Sequence, residues 1–185
     1  MENMEHTPHM SWAKFAGMIA TSTIVMFFLM YQLVYDADHL YFSLNRFLAA
    51  LIMGGVMTAI MLAFMGKMYH PPLARLAVLW GGIALAVILL ALNRTQALVG
   101  DTEFMKAMIP HHSIAINNAR KARITDPRVR RLADGIIASQ VREIEEMKIL
   151  TADRERLGSR GQAALPARST AITPEMSRQI ADAVQ

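Results

Sequence analysis

The sequence has no cysteine and little charge. None of its 185 residues is Cys, and Asp, Glu, Lys and Arg together make up 18% of them, whereas 54% are hydrophobic. The absence of Cys excludes disulfide bonds and every metal site built on thiolates. So low a share of charge is unusual for a soluble domain and is typical of a membrane protein that carries a water-facing part.

Charge is missing altogether from three long runs in the first half of the chain, at residues 15–34, 47–65 and 76–92. Helices of about 17 to 20 residues, rising about 1.5 Å per residue, are long enough to cross roughly 30 Å of hydrocarbon. We therefore expect three transmembrane helices. The first run is too long for the core of a cleaved signal peptide and no small-residue cleavage site follows it, so we expect a retained helix.

Charge returns after residue 92. The first 92 residues hold 4 basic and 4 acidic side chains of the 19 and 15 in the chain, which leaves 15 and 11 for the remainder. The segment "RITDPRVR" predicts a tight turn between two helices, with Thr125 or Asp126 as N-cap and Pro127 at the first helical position. The sequence thus predicts an all-α protein: a Met/His-rich tail (1–14), three spans (15–92), a helical hairpin (93–157) and a flexible C-terminal tail (158–185).

The hairpin carries a specific signature. "GDTEFMKAMIPHHSIAI", followed by "DPRVRRLADGIIASQVREIEEMK", resembles the family named domain of unknown function 305 (DUF305). The resemblance implies a ferritin-like helical bundle, and some relatives are associated with periplasmic copper binding. Members with several N-terminal membrane spans also occur. Because one hairpin cannot cover its own apolar stripes, we expect it to complete a four-helix bundle by oligomerisation, as a homodimer or higher homo-oligomer.

The spacing of donor side chains indicates a metal site independently of the resemblance. On a helix, positions i, i+3 and i+7 share a face, and an antiparallel hairpin brings such stripes together. Pro110 predicts a kink that turns His111 toward the site, and Glu143 or Gln140 is expected to orient an imidazole. The predicted ligand residues are Met105, Met108, His111, His112, Glu143 and Met147.

Thioether and imidazole together form a soft set that suits Cu(I) or Ag(I), with copper as the expected ion. Carboxylate-bridged di-iron chemistry is disfavoured because neither His111 nor His112 has a Glu three residues before it, so we expect no enzyme. The sequence favours a membrane-anchored, soft-metal-binding protein in metal handling or tolerance. The alternatives are a metal-free membrane assembly module, in which the stripes are only packed helix faces, and a copper transporter.

Other Met and His clusters raise the same question. For each of them, packing or incidental placement is favoured over a role in metal binding or conduction. The basic residues near the hairpin turn are not accompanied by a series of aromatic residues that could stack on bases, so we do not expect nucleic acid as a partner. We expect the lipid bilayer as a partner instead. The clusters are Met1, Met4, His6, His9 and Met10; Met65, Met68 and His70; and Met53, Met57, Met61 and Met65.

Topology is less clearly marked. Lys14, Lys67 and Arg75 lie at span ends on one side and Arg46, Arg94 and Lys106 on the other, so basic residues near the spans do not decide orientation. The soft, Cys-free ligand set and the resemblance favour a multi-pass protein of a bacterial inner membrane, with a cytoplasmic N-terminus and a periplasmic hairpin.

Overall fold

The computed structural model describes residues 11–161 and 163–183. Within these residues the chain forms six α-helices, two short 3₁₀ helices and no strand. The Met/His cluster at Met1, Met4, His6, His9 and Met10 lies outside the described residues. The α-helices are α1 (Trp12–Leu29), α2 (Leu44–Met65), α3 (Pro72–Thr95), α4 (Asp101–Lys121), α5 (Pro127–Leu157) and α6 (Pro174–Asp182), and the 3₁₀ helices are Ala37–His39 and Gly66–Met68.

Three helical segments are long and apolar enough to cross a membrane, namely Trp12–Leu29, Leu44–Met68 and Pro72–Thr95. Large apolar side chains such as Phe28, Phe64 and Trp80 are exposed along them. Exposed apolar side chains in such number are stable only where the surroundings are apolar, as in a bilayer. The prediction of three membrane-spanning candidates is confirmed.

The first helix ends at Leu29 and not at residue 34 as predicted. Beyond it, the backbone N–H groups of Tyr31 and Gln32 donate to carbonyls three residues back, which tightens the chain into a turn. The Tyr31 hydroxyl then accepts a 3.0 Å hydrogen bond from the backbone N–H of Ser43, just before α2. Tertiary contacts of the turn therefore override the apolar pattern that continues beyond Leu29.

Glycines allow the spanning helices to approach closely. A Cβ atom added to Gly55 of α2 would lie 2.8 Å from the backbone carbonyl oxygen of Gly82 in α3, and one added to Gly54 would lie 2.6 Å from Oγ1 of Thr23 in α1. Without hydrophobic driving force between helices in lipid, close packing of this kind is what holds them together. The two adjacent glycines of α2 therefore serve two different neighbours.

An aromatic cluster closes one end of the spanning helices. Phe15 and Tyr69 are buried, and their ring centroids lie 5.1 Å apart in an edge-on arrangement. Trp12 packs on Tyr69 with a centroid distance of 5.0 Å and donates its indole N–H to the carbonyl oxygen of His70 at 2.8 Å. Of the predicted Met65, Met68 and His70 group, the two methionines pack against this cluster, whereas His70 is exposed and contributes its backbone carbonyl.

The chain folds into two compact units that alternate along the sequence. The first contains the residues up to Gln32 and Leu40–Ala107, and the second contains Leu33–His39 and everything from Met108 onward. Helix α4 begins in the first unit and continues into the second without a break at Pro110. The predicted hairpin turn is present: Asp126 caps α5 by accepting a 2.8 Å hydrogen bond from the backbone N–H of Arg128.

Replacing Gly55 by Ala should destabilise the spanning helices by about 1–3 kcal/mol, since the new methyl group would push the α3 backbone away. Gly81→Ala is the matched control, because a Cβ there meets nothing within 4 Å and alanine is the better helix former. Thermal unfolding in mild detergent measures both. Equal midpoints for the two variants would contradict the assigned α2–α3 contact.

Candidate metal centre

The second unit is organised by two buried stripes. On α5 the buried residues Ala133, Ile144, Met147 and Thr151 recur at helical spacing, and α4 buries Ile109, His112 and Ile116 in the same way. Such stripes are normally apolar, because a polar side chain in this position must find a partner or lose stability. His112 is therefore the residue whose presence in the α4 stripe needs a chemical explanation.

His112 finds one partner on the other helix. Its Nε2 lies 2.8 Å from Oε2 of Glu143, and the two side chains are 11% and 37% exposed. The sequence predicted Gln140 or Glu143 in this role, with Gln140 level with His112. Side chains lean toward the N-terminus of their own helix, so in an antiparallel pair His112 leans away from the turn and Glu143 toward it. That opposed tilt explains why Glu143, one turn farther from the hairpin turn, is the residue that reaches His112.

The other ring nitrogen of His112, Nδ1, is buried and makes no hydrogen bond to the described residues. A carboxylate can only accept a hydrogen bond, so Nε2 must carry the proton that it donates to Glu143. In the neutral ring Nδ1 then bears a lone pair. A buried nitrogen lone pair that has no hydrogen-bond donor beside it is able to coordinate a metal ion.

Two of the predicted sulfur donors lie one helical turn from this pair. Met108 precedes His112 by four residues on α4, and Met147 follows Glu143 by four residues on α5; residues at that spacing are neighbours on a helix surface. Met108 is half-buried and Met147 is buried. The second unit thus joins an imidazole to a carboxylate and carries a methionine one helical turn from each of them; that the two sulfurs bind a metal stays a prediction.

The remaining predicted ligands are placed differently. His111 is exposed, and its ring centroid is 6.2 Å from that of His112. Met105 is buried but lies in the part of α4 that belongs to the first unit, so its membership of the site stays a prediction. Within residues 11–161 and 163–183, no three His, Asp or Glu side chains come together as a metal-binding group. Any ion held here would therefore depend on sulfur as well as on His112.

A short loop covers one side of the α4–α5 pair. The hydroxyl of Ser113, which is fully buried, accepts the backbone N–H of Tyr35 at 2.8 Å and lies 2.9 Å from Nδ1 of His39. Lys148 of α5 forms an ion pair with Asp38 of the same loop. The Leu33–His39 segment is consequently fastened to both helices of the hairpin.

The ion pair perturbs both of its partners. The hydrogen bond from Lys148 and its positive charge hold the pKa of the Asp38 carboxyl below its ordinary value of 3.8. Burial by itself would lower the pKa of Lys148, but its hydrogen bonds to Asp38 and Glu145 outweigh burial and raise it. Both shifts favour the charged forms, so the loop is held electrostatically at neutral pH.

A family model described as "Domain of unknown function (DUF305)" matches residues 82–181, which is more than half of the 185-residue chain. The chain belongs to the DUF305 family. An uncharacterized protein of Acanthamoeba polyphaga mimivirus is 40% identical over 75 residues, which cover 40% of this chain and 49% of that protein, so the chain spans about half the length of this curated relative. No solved structure matches the chain.

The loop residues of this DUF305 protein were not identified from the sequence. Ser113, His39 and Asp38 belong to no recognised metal or capping motif, and the partners lie more than 70 positions apart along the chain. One signal was present: "YDADH" places two acidic residues and a histidine directly after the first span. With three spans, the segment after the first lies on the same side of a membrane as the segment after the third.

The methionine series of α2 has a different setting. Met53 and Met57 line a groove of about 310 Å³ together with Met26 of α1, and the other lining residues, Ile52, Val56 and Ile60, are also apolar. An ion in such a groove would keep its charge without a counter-charge, which is costly in lipid. These methionines therefore act as packing material in this structure.

Ser113→Ala should release the Leu33–His39 loop, since it removes the acceptor of the Tyr35 N–H group from a partly buried hydrogen bond. Hydrogen exchange at Tyr35 should speed up by about tenfold or more, which corresponds to a loss of about 1.4 kcal/mol. Ser139→Ala is the control, because that hydroxyl donates only to the Ile136 carbonyl of its own helix. Unchanged exchange in Ser113→Ala would refute the fastening.

The loop should also respond to acid. Because the pKa of Asp38 is lower in the folded protein than its ordinary 3.8, its stabilising contribution is complete above that value and is lost as pH falls through the lowered pKa. A carboxyl titration followed by carbon-13 NMR should place Asp38 below 3.8 in the wild type and move it upward in Lys148→Met. Asp153 is the control, because its ion pairs are with Arg156 and Arg160, and its titration should be unaffected by that substitution. A shared shift of both carboxyls would argue against the pair.

Proposed function

We propose that this DUF305 protein is a membrane-anchored, soft-metal-binding protein that takes copper as Cu(I) and serves metal handling or tolerance, without catalysing a reaction. The observation that carries the proposal is the buried imidazole of His112, whose Nε2 is occupied by Glu143 while Nδ1 has no partner among the described residues. Association of some family members with copper is the second support.

The residues divide the work of binding. Glu143 accepts the Nε2 proton, which fixes the ring tautomer and orientation and makes the opposite nitrogen a better donor. Met108 and Met147 supply thioethers, which are neutral and polarisable and therefore prefer a soft ion. His111, exposed at the edge of the site, is available as an additional ligand. A bound ion would contribute its positive charge opposite the Glu143 carboxylate.

Charge balance favours a monovalent ion. Neutral imidazole and thioethers bring no charge, and among the described residues the carboxylate of Glu143 is the one negative group in contact with His112. One positive charge is offset by this carboxylate, whereas a divalent ion would leave an uncompensated charge among half-buried groups, which is costly. Cu(I) fits this requirement as well as the softness of the donors.

The topology of the spans supports a specific orientation of the site. Two crossings separate the Leu33–His39 loop from the hairpin, which puts both on one side of the membrane, and this agrees with the contacts of the loop with Ser113 and Lys148. We propose a bacterial inner membrane with the N-terminus in the cytoplasm and the hairpin in the periplasm. A reporter fused after Asp182 tests this orientation, and activity only in the cytoplasm would reverse it.

A metal-free assembly module is the second candidate. It is favoured by large apolar side chains on α5 that stay exposed in the second unit. A transporter receives less support, because the methionines of α2 line a groove without polar groups. Metal content of the purified full-length protein distinguishes the first two candidates, and copper flux into liposomes tests the third.

Titration of the full-length protein in mild detergent against a Cu(I) chelator tests the site. His112→Ala and Met108→Leu should each weaken Cu(I) binding by about tenfold or more, and Glu143→Gln by roughly 10- to 100-fold because the ring loses its anionic partner. Leucine keeps the volume of Met108 while removing the sulfur.

Met176→Leu is the matched control, since Met176 lies exposed on α6 and is not part of the site. Circular dichroism should show the same helix content in all four variants. If His112→Ala and Met108→Leu bind Cu(I) as tightly as the wild type, the motif is a packed helix face and the proposed site is wrong.

A further inference from the structure

Helix α5 carries an exposed apolar stripe with a repeat of seven residues. Its members are between 37% and 58% exposed although they are large apolar side chains in the charged half of the chain. A seven-residue repeat keeps side chains on one flank of a helix. The stripe consists of Val129, Ile136, Leu150 and Leu157, and Glu143 occupies the central position of the repeat.

The stripe lies on the flank of α5 that the loop leaves open. At about 100° per residue, Lys148 and Glu143 fall on opposite sides of the buried stripe that contains Ile144 and Met147. Lys148 is the side fastened to the Leu33–His39 loop through Asp38. The Glu143 side therefore remains as the second face of the hairpin, and it is the face that carries the four residues of the stripe.

We infer that a second copy of this chain docks on that face, with the two α5 helices antiparallel about a two-fold axis that passes near Glu143. The pattern reads the same from either end, since apolar residues stand seven and fourteen positions to each side of Glu143. A two-fold interface requires such self-complementarity. Ile136 then faces Leu150 of the second copy, and Val129 faces Leu157 of the second copy.

A membrane surface fits the stripe less well than a second copy does. The centre of the stripe is charged: Glu143 lies on the axis, and the neighbouring Arg142 pairs with both Glu143 and Glu146. An apolar stripe interrupted by charge at its midpoint cannot enter the acyl region as one surface. In the two-fold arrangement the charged residues lie at the axis, and the apolar residues on either side of it still pack against each other.

The axis places the two candidate metal sites side by side, and this step depends on the proposed function. Glu143 of each copy faces Glu143 of the other while it holds its own His112. The two carboxylates repel each other. Arg142, 4.0 Å from Glu143 in its own copy, offsets part of that repulsion, and one monovalent ion per site would offset more of it. Metal binding should therefore strengthen the dimer, and Glu143→Gln should strengthen it in the absence of metal.

The Cys-free chain makes disulfide mapping in the full-length protein direct. In metal-free detergent solution with mild oxidant, the double variant Ile136→Cys/Leu150→Cys should form covalent dimers, whereas each single variant should not. The two positions are about 21 Å apart along one helix, so they cannot join within a chain. Val141→Cys, exposed on the opposite flank of α5, is the control and should stay monomeric on a denaturing gel.

Each other outcome has a definite meaning. Efficient dimers of Ile136→Cys alone would show parallel helices and overturn the proposed axis. Dimer yield in the double variant no higher than in Val141→Cys would overturn docking on this face, even if Cu(I) titration confirms the His112 site. Covalent dimers together with wild-type Cu(I) affinity in His112→Ala would instead keep the interface and remove the metal function.

Discussion

The hydrogen bond between His112 and Glu143 decides how the second unit is arranged. It joins α4 to α5 through one buried and one half-buried side chain and so determines which residues of the two helices lie level. From that register follow the positions of Met108 and Met147, one turn away on either helix. It also separates the hairpin into two flanks, one fastened to the Leu33–His39 loop and one bearing the apolar stripe of α5. Burying an imidazole loses hydration free energy, and apolar residues would align the two helices without that loss. This loss of stability is the reason to propose a chemical role for the pair.

Features that depend on local sequence could be predicted, and those that depend on distant contacts could not. The three spans follow from the absence of charge over long runs, and the hairpin turn follows from Asp126 and Pro127, which act on their immediate neighbours. The end of α1 was predicted beyond Leu29 because residues 30–34 are as apolar as the helix, and only the contacts of the following turn reveal the difference. Spacing placed Glu143 near His112 but could not rank it above Gln140, since the ranking depends on the tilt of both side chains.

The two units use opposite means to hold helices together. The spanning helices approach through the absence of side chains at Gly54 and Gly55, so that backbone meets backbone or a threonine hydroxyl. The hairpin instead uses polar side chains, because water surrounds it and burial of its narrow stripes alone is modest. The contact of Glu143 with His112 is of this second kind, and it lies in the half of the chain that carries most of the charged residues.

The Leu33–His39 loop makes the second unit discontinuous in sequence, with one of its pieces encoded between the first two spans. During synthesis this piece leaves the ribosome well before α4 and α5 exist, and it has no folded partner until the chain has been made through α5. The hairpin can therefore reach its complete structure only after all three apolar helices have been synthesised. The same arrangement limits exchange of the hairpin between genes: a recombination event that transferred α4 and α5 alone would leave behind the segment that satisfies Ser113. The water-facing half of the protein is in this sense inherited together with its anchor.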